Sequence, residues 1–503
     1  MNIKQELSKT VASSWGSLVI VTVTQLLMIP VALSVLSNAE FALFAVITQL
    51  MNTIRLAEIG VRAACVRLLV DVRVKDEEKY AQMWSSAVFV FLLQGGVILL
   101  AVGAIAPFIG VLYNLEGYLS TLGTQVFCAM GVITAFNYVL SVHATAMLAG
   151  QRLHLVNIIA IVGALLDLVI FVSCIKLGFG LWSYVIAVVS TTAFKSYYIR
   201  HYSRRSGLSR KFHWAEVKAE NVKVIFKLGL DVAVGTIYTV VLGNSLLIFS
   251  GNLLSLGVTA ILAVNLKLIN TITQILQRIP GAAEPVLMRL VSESKLDDFY
   301  KWWKLVTKLS VVLSLLACGG YLLWGDFIIT LWVGKEMTLT GLPLILLGFI
   351  PVRFIIHYVF VHSLVIFKEL RKVKVSLIWE MVLYVALVYW WTPLYGLKGL
   401  LFANLASMAG GSLMFGVKWM AVYSQREYRE IMNVLLKTTL PLSLAVVLFC
   451  AGAASMGLGF WSSSLVTLLW CTFTAIVLVF AILDARERER VFELARKAMK
   501  KLK

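Results

Sequence analysis

The chain has 503 residues, of which 60% are hydrophobic and only 14% are charged, and its mean hydropathy is +0.88. A soluble globular protein needs roughly 25% charged residues, so the composition excludes a soluble fold and predicts an all-α polytopic membrane protein. The net charge of +19 comes from short basic groups between apolar runs. That pattern is typical of loops facing an anionic leaflet, so we expect membrane lipids and no nucleic acid as partners.

Apolar segments long enough to cross a bilayer as helices, at about 20 residues each, occur fourteen times along the chain. They lie at 11–36, 39–64, 82–109, 119–149, 155–176, 180–201, 224–250, 253–280, 304–325, 339–367, 375–394, 397–421, 436–457 and 459–483. The first follows Lys4 and Lys9, as in a signal peptide. Its length and the lack of a small-residue cleavage site predict a retained span instead.

The loops provide an independent test of this count. Loops after even-numbered spans are rich in Lys and Arg, whereas three of the loops after odd-numbered spans carry a single Lys each (Lys176, Lys335 and Lys398). Cytoplasmic loops are the basic ones in membrane proteins. The alternation therefore predicts that both termini are cytoplasmic.

Several short patterns occur once in each half of the chain. The stretch AVITQLMNTIRLAEIGVRAACVR from Ala45 shares Ala-Val, Asn-Thr-Ile and a closing Arg with the stretch AVNLKLINTITQILQRIPGAAEPVLMR from Ala263. Tyr-Val followed by a His recurs at His143 and His362, and an aromatic-Gly-Leu triplet recurs at Gly180 and Gly396. Spans 1 to 6 and 7 to 12 are therefore predicted to be parallel repeats, an arrangement known among secondary transporters.

The repeat divides the chain into five segments. We predict an N-terminal six-helix lobe at 1–201, a basic cytoplasmic linker at 202–223 that lets the lobes move, and a C-terminal six-helix lobe at 224–421. Two extra helices follow at 436–483. The basic tail at 484–503 fits either an amphipathic helix on the inner surface or a frayed end.

Cations deep within a span are costly and usually face a wet cavity. Lys267 and Arg353 fall near the middles of spans 8 and 10, and Arg55 falls in the inner half of span 2. Asn52 and His357 share helix faces with two of them. We predict substrate binding by Arg55, Lys267, Arg353, Asn52 and His357. Four other cations lie near cytoplasmic ends, where their side chains can extend to water: Arg62, Lys195, Arg278 and Lys418.

Acidic residues within spans suggest ion coupling. Asp231 and Glu380, with Asn404 and Ser407, provide carboxylate and neutral oxygens of the kind that hold a hard cation such as sodium, although ion pairs with Lys227 or Lys374 compete with this interpretation. Asp167 near the middle of span 5 is either part of this coupling or a counter-ion to a cation. The paired histidines are either proton carriers or hydrogen-bonded to a neighbouring helix.

The sequence has no pattern typical of a metal site, a disulfide framework, a nucleotide-binding site or a catalytic site. The six cysteines stand singly within apolar runs, which indicates neither a metal site nor a disulfide framework. A nucleotide-binding loop and a long outer loop that could hold catalytic residues are both missing from the pattern. We therefore expect no enzyme, no catalytic residues and no cofactor, with sodium or proton coupling left open.

The parallel repeats, the Gly-Leu openings of spans 6 and 12 and the turn Gly60-Val61-Arg62-Ala63 together resemble the polysaccharide-exporter branch of the multidrug/oligosaccharidyl-lipid/polysaccharide superfamily, which includes bacterial O-antigen flippases. The resemblance implies a V-shaped pair of lobes in the bacterial inner membrane, alternating access, and a substrate of sugars on undecaprenyl diphosphate. Related lipid II flippases keep cations on spans 2 and 8, where Arg55 and Lys267 lie. Some members have a sodium site on spans 7, 11 and 12, which Asp231, Glu380 and Asn404 resemble. Span 1 lacks the cation of the lipid II flippases, which argues against lipid II as substrate.

We therefore predict a flippase for a lipid-linked oligosaccharide, an O-antigen or other surface polysaccharide unit, that works as a monomer, with polysaccharide polymerase machinery as an associated partner. The first alternative is a cation-coupled multidrug antiporter of the same superfamily, although cationic drugs should prefer an acidic cavity. The second is a membrane polysaccharide polymerase or ligase, which the lack of a long outer loop disfavours.

Overall fold

The computed structural model describes residues 3–54, 60–73, 76–243, 245–367 and 370–455, together with 469–470, 472, 474 and 487–489. In these ranges the regular structure consists of α-helices with a few short 3₁₀ and π segments, and there are no strands. The all-α membrane fold class is therefore confirmed. The chain divides into two compact units, residues 1–263 and 264–503.

The first unit, residues 1–263, begins with a long helix that contains Pro30. Its helices are α1 Ile3–Leu33, α2 Asn38–Ile54, α3 Val61–Arg73, α4 Glu77–Ile105, α5 Ile109–Leu112, α6 Gly117–Leu140, α7 Val142–Ala149, α8 Leu153–Lys176, α9 Trp182–Arg205, α10 Ala219–Gly243 and α11 Ser245–Leu253. Helix α12, Leu256–Ser292, begins in this unit and continues into the next.

The second unit, residues 264–503, contains the rest of α12 and seven further helices in its described part. These are α13 Leu296–Val333, α14 Gly341–Gly348, α15 Ile350–Ile366, α16 Leu370–Tyr395, α17 Leu397–Met408, α18 Met414–Ser424 and α19 Tyr428–Ser455. A π-helical segment, Ala409–Leu413, joins α17 to α18 within one continuous span.

Ten helical segments of the described chain are long and apolar enough to cross a membrane. They correspond to the predicted spans 1, 3, 4, 5 and 8 to 13. At the predicted spans 2, 6 and 7 the structure has the helices α2 with α3, α9 and α10, and most of span 14 lies outside the described residues. The chain is a multi-pass membrane protein; the count of fourteen spans and the orientation of the termini stay predictions.

Packing in the first unit joins helices that are distant in sequence. Helix α1 packs on α8, α8 on α9 and α4 on α6, while α10 packs along α3 and α4, and α11 packs on α2. The repeat assigns α10 and α11 to the second lobe. In the structure both helices belong to the first compact unit.

The segment between α9 and α10 is docked onto the first unit. Tyr80 Oη donates to the carbonyl of Leu208 at 2.6 Å, Trp84 Nε1 donates to the carbonyl of Arg210 at 3.0 Å, and the Lys218 N–H donates to Ser86 Oγ at 3.1 Å. Leu208 is 1% exposed and lies against Gly150, where a Cβ would meet its side chain. The segment predicted to link the lobes is therefore packed on this unit, while its role in letting the lobes move stays a prediction.

Apolar packing of α13, α15, α18 and α19 forms the core of the second unit. Trp303 and Phe360 lie at its centre, with their ring centroids 5.6 Å apart. Trp470 packs on Gly319, where a Cβ would lie 2.4 Å from its indole nitrogen. Most of the predicted basic tail lies outside the described residues, but Glu487 forms ion pairs with Lys304 and Lys308.

The glycines of the two aromatic-Gly-Leu triplets both have a positive φ. Gly180 and Gly396 have φ of +52° and +60°, and each precedes a helix of its unit. At Gly396 ψ is −137°, a conformation that is nearly restricted to glycine. This part of the sequence repeat therefore places a glycine with positive φ before a helix in each unit.

We predict that Gly396→Ala lowers the free energy of unfolding by about 1–3 kcal/mol, because a Cβ strains this backbone conformation, although nothing lies within 4 Å of the added atom. The control is Gly320→Ala within α13, which also meets open space. It should be neutral or stabilise by about 0.5–1 kcal/mol. Thermal unfolding in detergent measures both, and equal effects of the two variants would contradict a conformational role for Gly396.

Candidate functional site

A polar cavity of about 160 Å³ lies within the first unit. One water molecule needs about 10–15 Å³, so the cavity has room for a polar group of several heavy atoms. Its walls come from α2, α3, α6 and α9 and from Ser141 between α6 and α7. The polar and charged lining residues are Thr48, Asn52, Arg62, Thr134, Asn137, Tyr138, Ser141 and Tyr184.

Arg62 is the one charged residue in the described lining of this cavity. Its Nε atom is buried and has no hydrogen-bond partner in the described part of the chain. A buried polar group without a partner costs roughly 1–3 kcal/mol, and more when the group is charged. The wall of the cavity therefore carries a cationic side chain whose Nε donor is not used within the described structure.

The local backbone explains the position of Arg62. Gly60 has φ of +62°, and α3 begins at the next residue. This glycine turns the chain into α3 and places Arg62 in its first turn. The Gly-x-Arg-Ala pattern in the sequence thus positions the cavity arginine.

Three of the other polar lining residues have hydrogen bonds to residues three or four positions earlier in the chain. Ser141 separates α6 from α7 and donates from Oγ to the carbonyl of Tyr138 at 2.6 Å. Thr48 Oγ1 donates to the carbonyl of Phe44 at 2.9 Å, and Asn52 Nδ2 donates to Gln49 Oε1 at 3.4 Å. The prediction that Asn52 faces a polar cavity agrees with this geometry, while substrate binding by Asn52 stays a prediction.

A buried ion pair lies within the second unit. Arg353 on α15 is 1% exposed and Glu380 on α16 is 0% exposed, and Arg353 Nη2 lies 2.7 Å from Glu380 Oε1. Arg353 Nε donates to the backbone carbonyl of Asn404 on α17 at 2.7 Å. One guanidinium thus joins three neighbouring helices.

The π-helical segment completes the environment of Glu380. A π segment breaks the regular backbone ladder, and here the Ser412 N–H donates to Glu380 Oε2 at 2.8 Å. Ser412 Oγ donates to the same oxygen at 2.5 Å, and His357 Nδ1 is 2.6 Å from Ser412 Oγ. The serine hydroxyl has one proton, so His357 is the donor in its contact with Ser412.

Four predicted site residues therefore belong to one hydrogen-bonded network: Arg353, His357, Glu380 and, through its backbone carbonyl, Asn404. We predicted that Arg353 and His357 bind substrate in a wet cavity. Instead, Arg353 bonds to a buried carboxylate and a buried carbonyl, and His357 to a serine that bonds to the same carboxylate. This geometry corrects the expected surroundings of Arg353, because its charge is neutralised within the unit.

The other two predicted ion-coupling residues are Asp167 and Asp231. Asp167 Oδ1 accepts a bond from Thr191 Oγ1 at 3.3 Å and interacts electrostatically with Lys195. The aliphatic stem of Lys195 packs along Gly163, and the prediction that its ammonium group extends to water stays a prediction. This arrangement favours the counter-ion role for Asp167. The side chain of Asp231 lies outside the described residues.

Two predicted substrate contacts remain to be placed. Arg55 lies outside the described residues. Lys267 lies on α12 with its side chain partly buried, and its backbone carbonyl accepts a bond from Thr271 Oγ1 at 2.9 Å. Substrate binding by either residue stays a prediction.

The repeated histidines have different partners. His143 Nδ1 is 2.8 Å from Ser209 Oγ in the docked segment. His362 Nδ1 is 2.6 Å from Glu284 Oε1, and its ring stacks on Tyr358 at a centroid distance of 3.7 Å. Both histidines are hydrogen-bonded to another element, which is the simpler of the two interpretations from the sequence.

Sequence reasoning missed two residues of these sites. Arg62 was expected to extend to water, although the motif Gly60-Val61-Arg62-Ala63 was itself a signal. Ser412 has no signal in the sequence, because its role depends on the π segment and on Glu380, which lies on another helix.

No protein-family profile and no curated protein matches the chain. Among solved structures, the chain is similar to "Lipid II flippase MurJ, inward closed conformation", with a TM-score of 0.68, 14% identity, and coverage of 93% of this chain and 98% of that one. It is also similar to the inward-facing conformation of a multidrug resistance MATE family transporter of the MOP superfamily. There the TM-score is 0.65, the identity 16%, and the coverage 80% of this chain and 96% of that one.

The first of these structures is a lipid II flippase, and the second is a multidrug transporter of the superfamily that the sequence resembles. At these identities the likeness establishes the fold. The chain therefore has the fold of these two structures.

For the buried network, we predict that Glu380→Gln lowers the free energy of unfolding by about 3–5 kcal/mol, because it leaves the Arg353 charge buried without its counter-charge. The double variant Arg353→Met with Glu380→Leu should lose much less, since no charge remains. Unfolding in mixed micelles measures both.

The control for the buried network is Lys301→Gln, which removes the exposed pair of Lys301 with Asp298 and should have little effect because exposed pairs contribute little. A Glu380→Gln variant as stable as this control would contradict the account of the network.

Proposed function

We propose that this protein is a flippase that moves an undecaprenyl-diphosphate-linked oligosaccharide, the unit of an O-antigen or another surface polysaccharide, from the inner to the outer leaflet of the bacterial inner membrane. The observation that carries the proposal is the cavity of the first unit. Its described lining contains the Arg62 cation, several hydroxyl and amide groups and no acidic residue.

The chemistry of this lining fits a phosphorylated sugar head. Arginine binds phosphate through charge-assisted hydrogen bonds. Asn137 and Thr134 on α6 add the amide and hydroxyl groups that suit sugar hydroxyls. Moving such a head through hydrocarbon without partners would cost many kcal/mol, and a polar cavity removes most of that cost.

The position of Arg62 along its span fits loading from the cytoplasm. By the charge alternation of the loops, Arg62 lies near the cytoplasmic end of span 2, which is the side where the lipid-linked precursor would enter. Outward movement of the anionic head gains about 2.3 kcal/mol per elementary charge for each 100 mV of membrane potential. The prenyl tail would stay in the lipid throughout.

A multidrug antiporter is the second candidate, because a multidrug resistance transporter has a similar fold. In this chain the buried carboxylate Glu380 is neutralised by Arg353, and the cavity of the first unit is lined by a cation. A cationic drug would be repelled by that lining. These charges favour the flippase.

We predict that Arg62→Gln lowers export of the lipid-linked oligosaccharide at least tenfold, because a charge-assisted bond to phosphate contributes about 1.5–3 kcal/mol. Export is measured as surface polysaccharide on cells that carry the variant as their sole copy. Protein levels in the membrane fraction are compared with the unsubstituted chain.

Arg67→Gln is the matched control, since Arg67 lies on the same helix α3 but is exposed and does not line the cavity. Export by this variant should be close to normal. Normal export by Arg62→Gln, or equal losses in the two variants, would overturn the assignment of the cavity.

The two candidate functions also differ in drug resistance. Cells that express the chain should accumulate cationic dyes as fast as cells without it, since the proposed cavity repels cations. Dye efflux that depends on this chain and persists in Arg62→Gln would favour the antiporter.

A further inference from the structure

We propose that the oxygen cluster around Glu380 is a cation site whose permanent occupant is the guanidinium of Arg353, so that transport proceeds without a sodium ion at this position. The proposal rests on the proposed transport function and deepens it by specifying its coupling. Its experiment measures ion binding, which is separate from export.

The cluster has the composition of a site for a hard monovalent cation. It contains the two carboxylate oxygens of Glu380, the backbone carbonyl oxygen of Asn404 and the hydroxyl of Ser412, all buried within the second unit. Carboxylate, carbonyl and hydroxyl oxygens are the ligands that such ions take in proteins. From sequence, Glu380 and Asn404 were candidates for a sodium site together with Asp231, and an ion pair was the competing interpretation.

In the structure the positive charge at this cluster belongs to Arg353. Its Nη2 lies 2.7 Å from one carboxylate oxygen of Glu380, and its Nε lies 2.7 Å from the Asn404 carbonyl. These are the distances of charge-assisted hydrogen bonds. The other carboxylate oxygen is bonded to the N–H and the hydroxyl of Ser412.

A soluble ion cannot compete with this arrangement. The guanidinium is tethered to α15 and always charged, so its effective concentration at Glu380 exceeds that of sodium in solution. Its displacement would leave a second cation buried beside the sodium ion, and an unpaired buried charge is strongly unfavourable. Arg353 therefore acts as a built-in counter-ion.

The neighbouring groups support a fixed site. His357 on the same helix is bonded to Ser412, which orients that hydroxyl toward Glu380. Gly411 lies directly against the carboxylate, since a Cβ there would fall 2.4 Å from Glu380 Oε2. The π segment is thus shaped around the carboxylate, which holds its oxygens toward the guanidinium.

The test is thermal unfolding of the purified full-length protein in detergent, titrated with sodium chloride against choline chloride at equal ionic strength. The unsubstituted protein should show no saturable, sodium-specific rise in Tm. Arg353→Ala, which empties the site and leaves its oxygens, should have a lower Tm in choline chloride and recover part of it in sodium chloride. The double variant Arg353→Ala with Glu380→Gln should lose the sodium response.

Two outcomes would overturn the proposal. One is a sodium response of the unsubstituted protein that disappears in Glu380→Gln, because the site would then accept a free ion. The other is a monodisperse, folded Arg353→Ala protein with no sodium response, because the oxygens would then not form a cation site.

A second measurement covers the case in which Arg353→Ala cannot be purified. Binding of radioactive sodium is compared between the unsubstituted protein and Arg353→Lys, which keeps a tethered cation, with Glu380→Gln as reference. All three should bind equally little sodium at this position, and any binding that requires Glu380 would contradict the proposal. Failure of the transport proposal itself would instead appear as normal export by Arg62→Gln, with these ion results unchanged.

Discussion

The cost of holding a cation in a low-dielectric interior is the constraint that organises both sites of this protein. Within a span, a charge needs a counter-charge or a polar cavity. The chain uses both solutions. Arg353 is neutralised by Glu380 and the Asn404 carbonyl, whereas Arg62 lines a polar cavity without any described carboxylate. The first arginine fastens helices together, and we propose that the second binds an anionic ligand.

This difference distinguishes a structural arginine, Arg353, from a proposed ligand-binding arginine, Arg62, although the two look alike in the sequence. Both arginines lie in apolar runs, and depth along the span had favoured Arg353 as the substrate contact. Arg353 can lie deep within its span because Glu380 neutralises its charge. The shallower Arg62 is placed by the turn at Gly60, so its proposed role in loading from the cytoplasmic leaflet follows from local backbone geometry.

Much of the fold could be predicted from the sequence, because span length, apolar runs and turn glycines are local properties. The repeated Gly180 and Gly396 both have positive φ. The pairing of Arg353 with Glu380 could not be predicted, since the two lie on different spans and meet only through tertiary packing. The docking of Leu208 against Gly150 could not be predicted for the same reason. The basic composition of this segment indicated only a cytoplasmic linker, whereas its position depends on tertiary contacts with α4 that include the Leu208 carbonyl and the Lys218 N–H.

The central claim is that the cavity around Arg62 binds the diphosphate of a lipid carrier. The most direct measurement is binding of undecaprenyl diphosphate, with undecaprenol as the uncharged reference, to the purified protein by native mass spectrometry. We expect Arg62→Gln to raise the Kd for the diphosphate at least tenfold, equivalent to about 1.4 kcal/mol, and to leave undecaprenol binding unchanged. An unchanged Kd for the diphosphate would contradict the account.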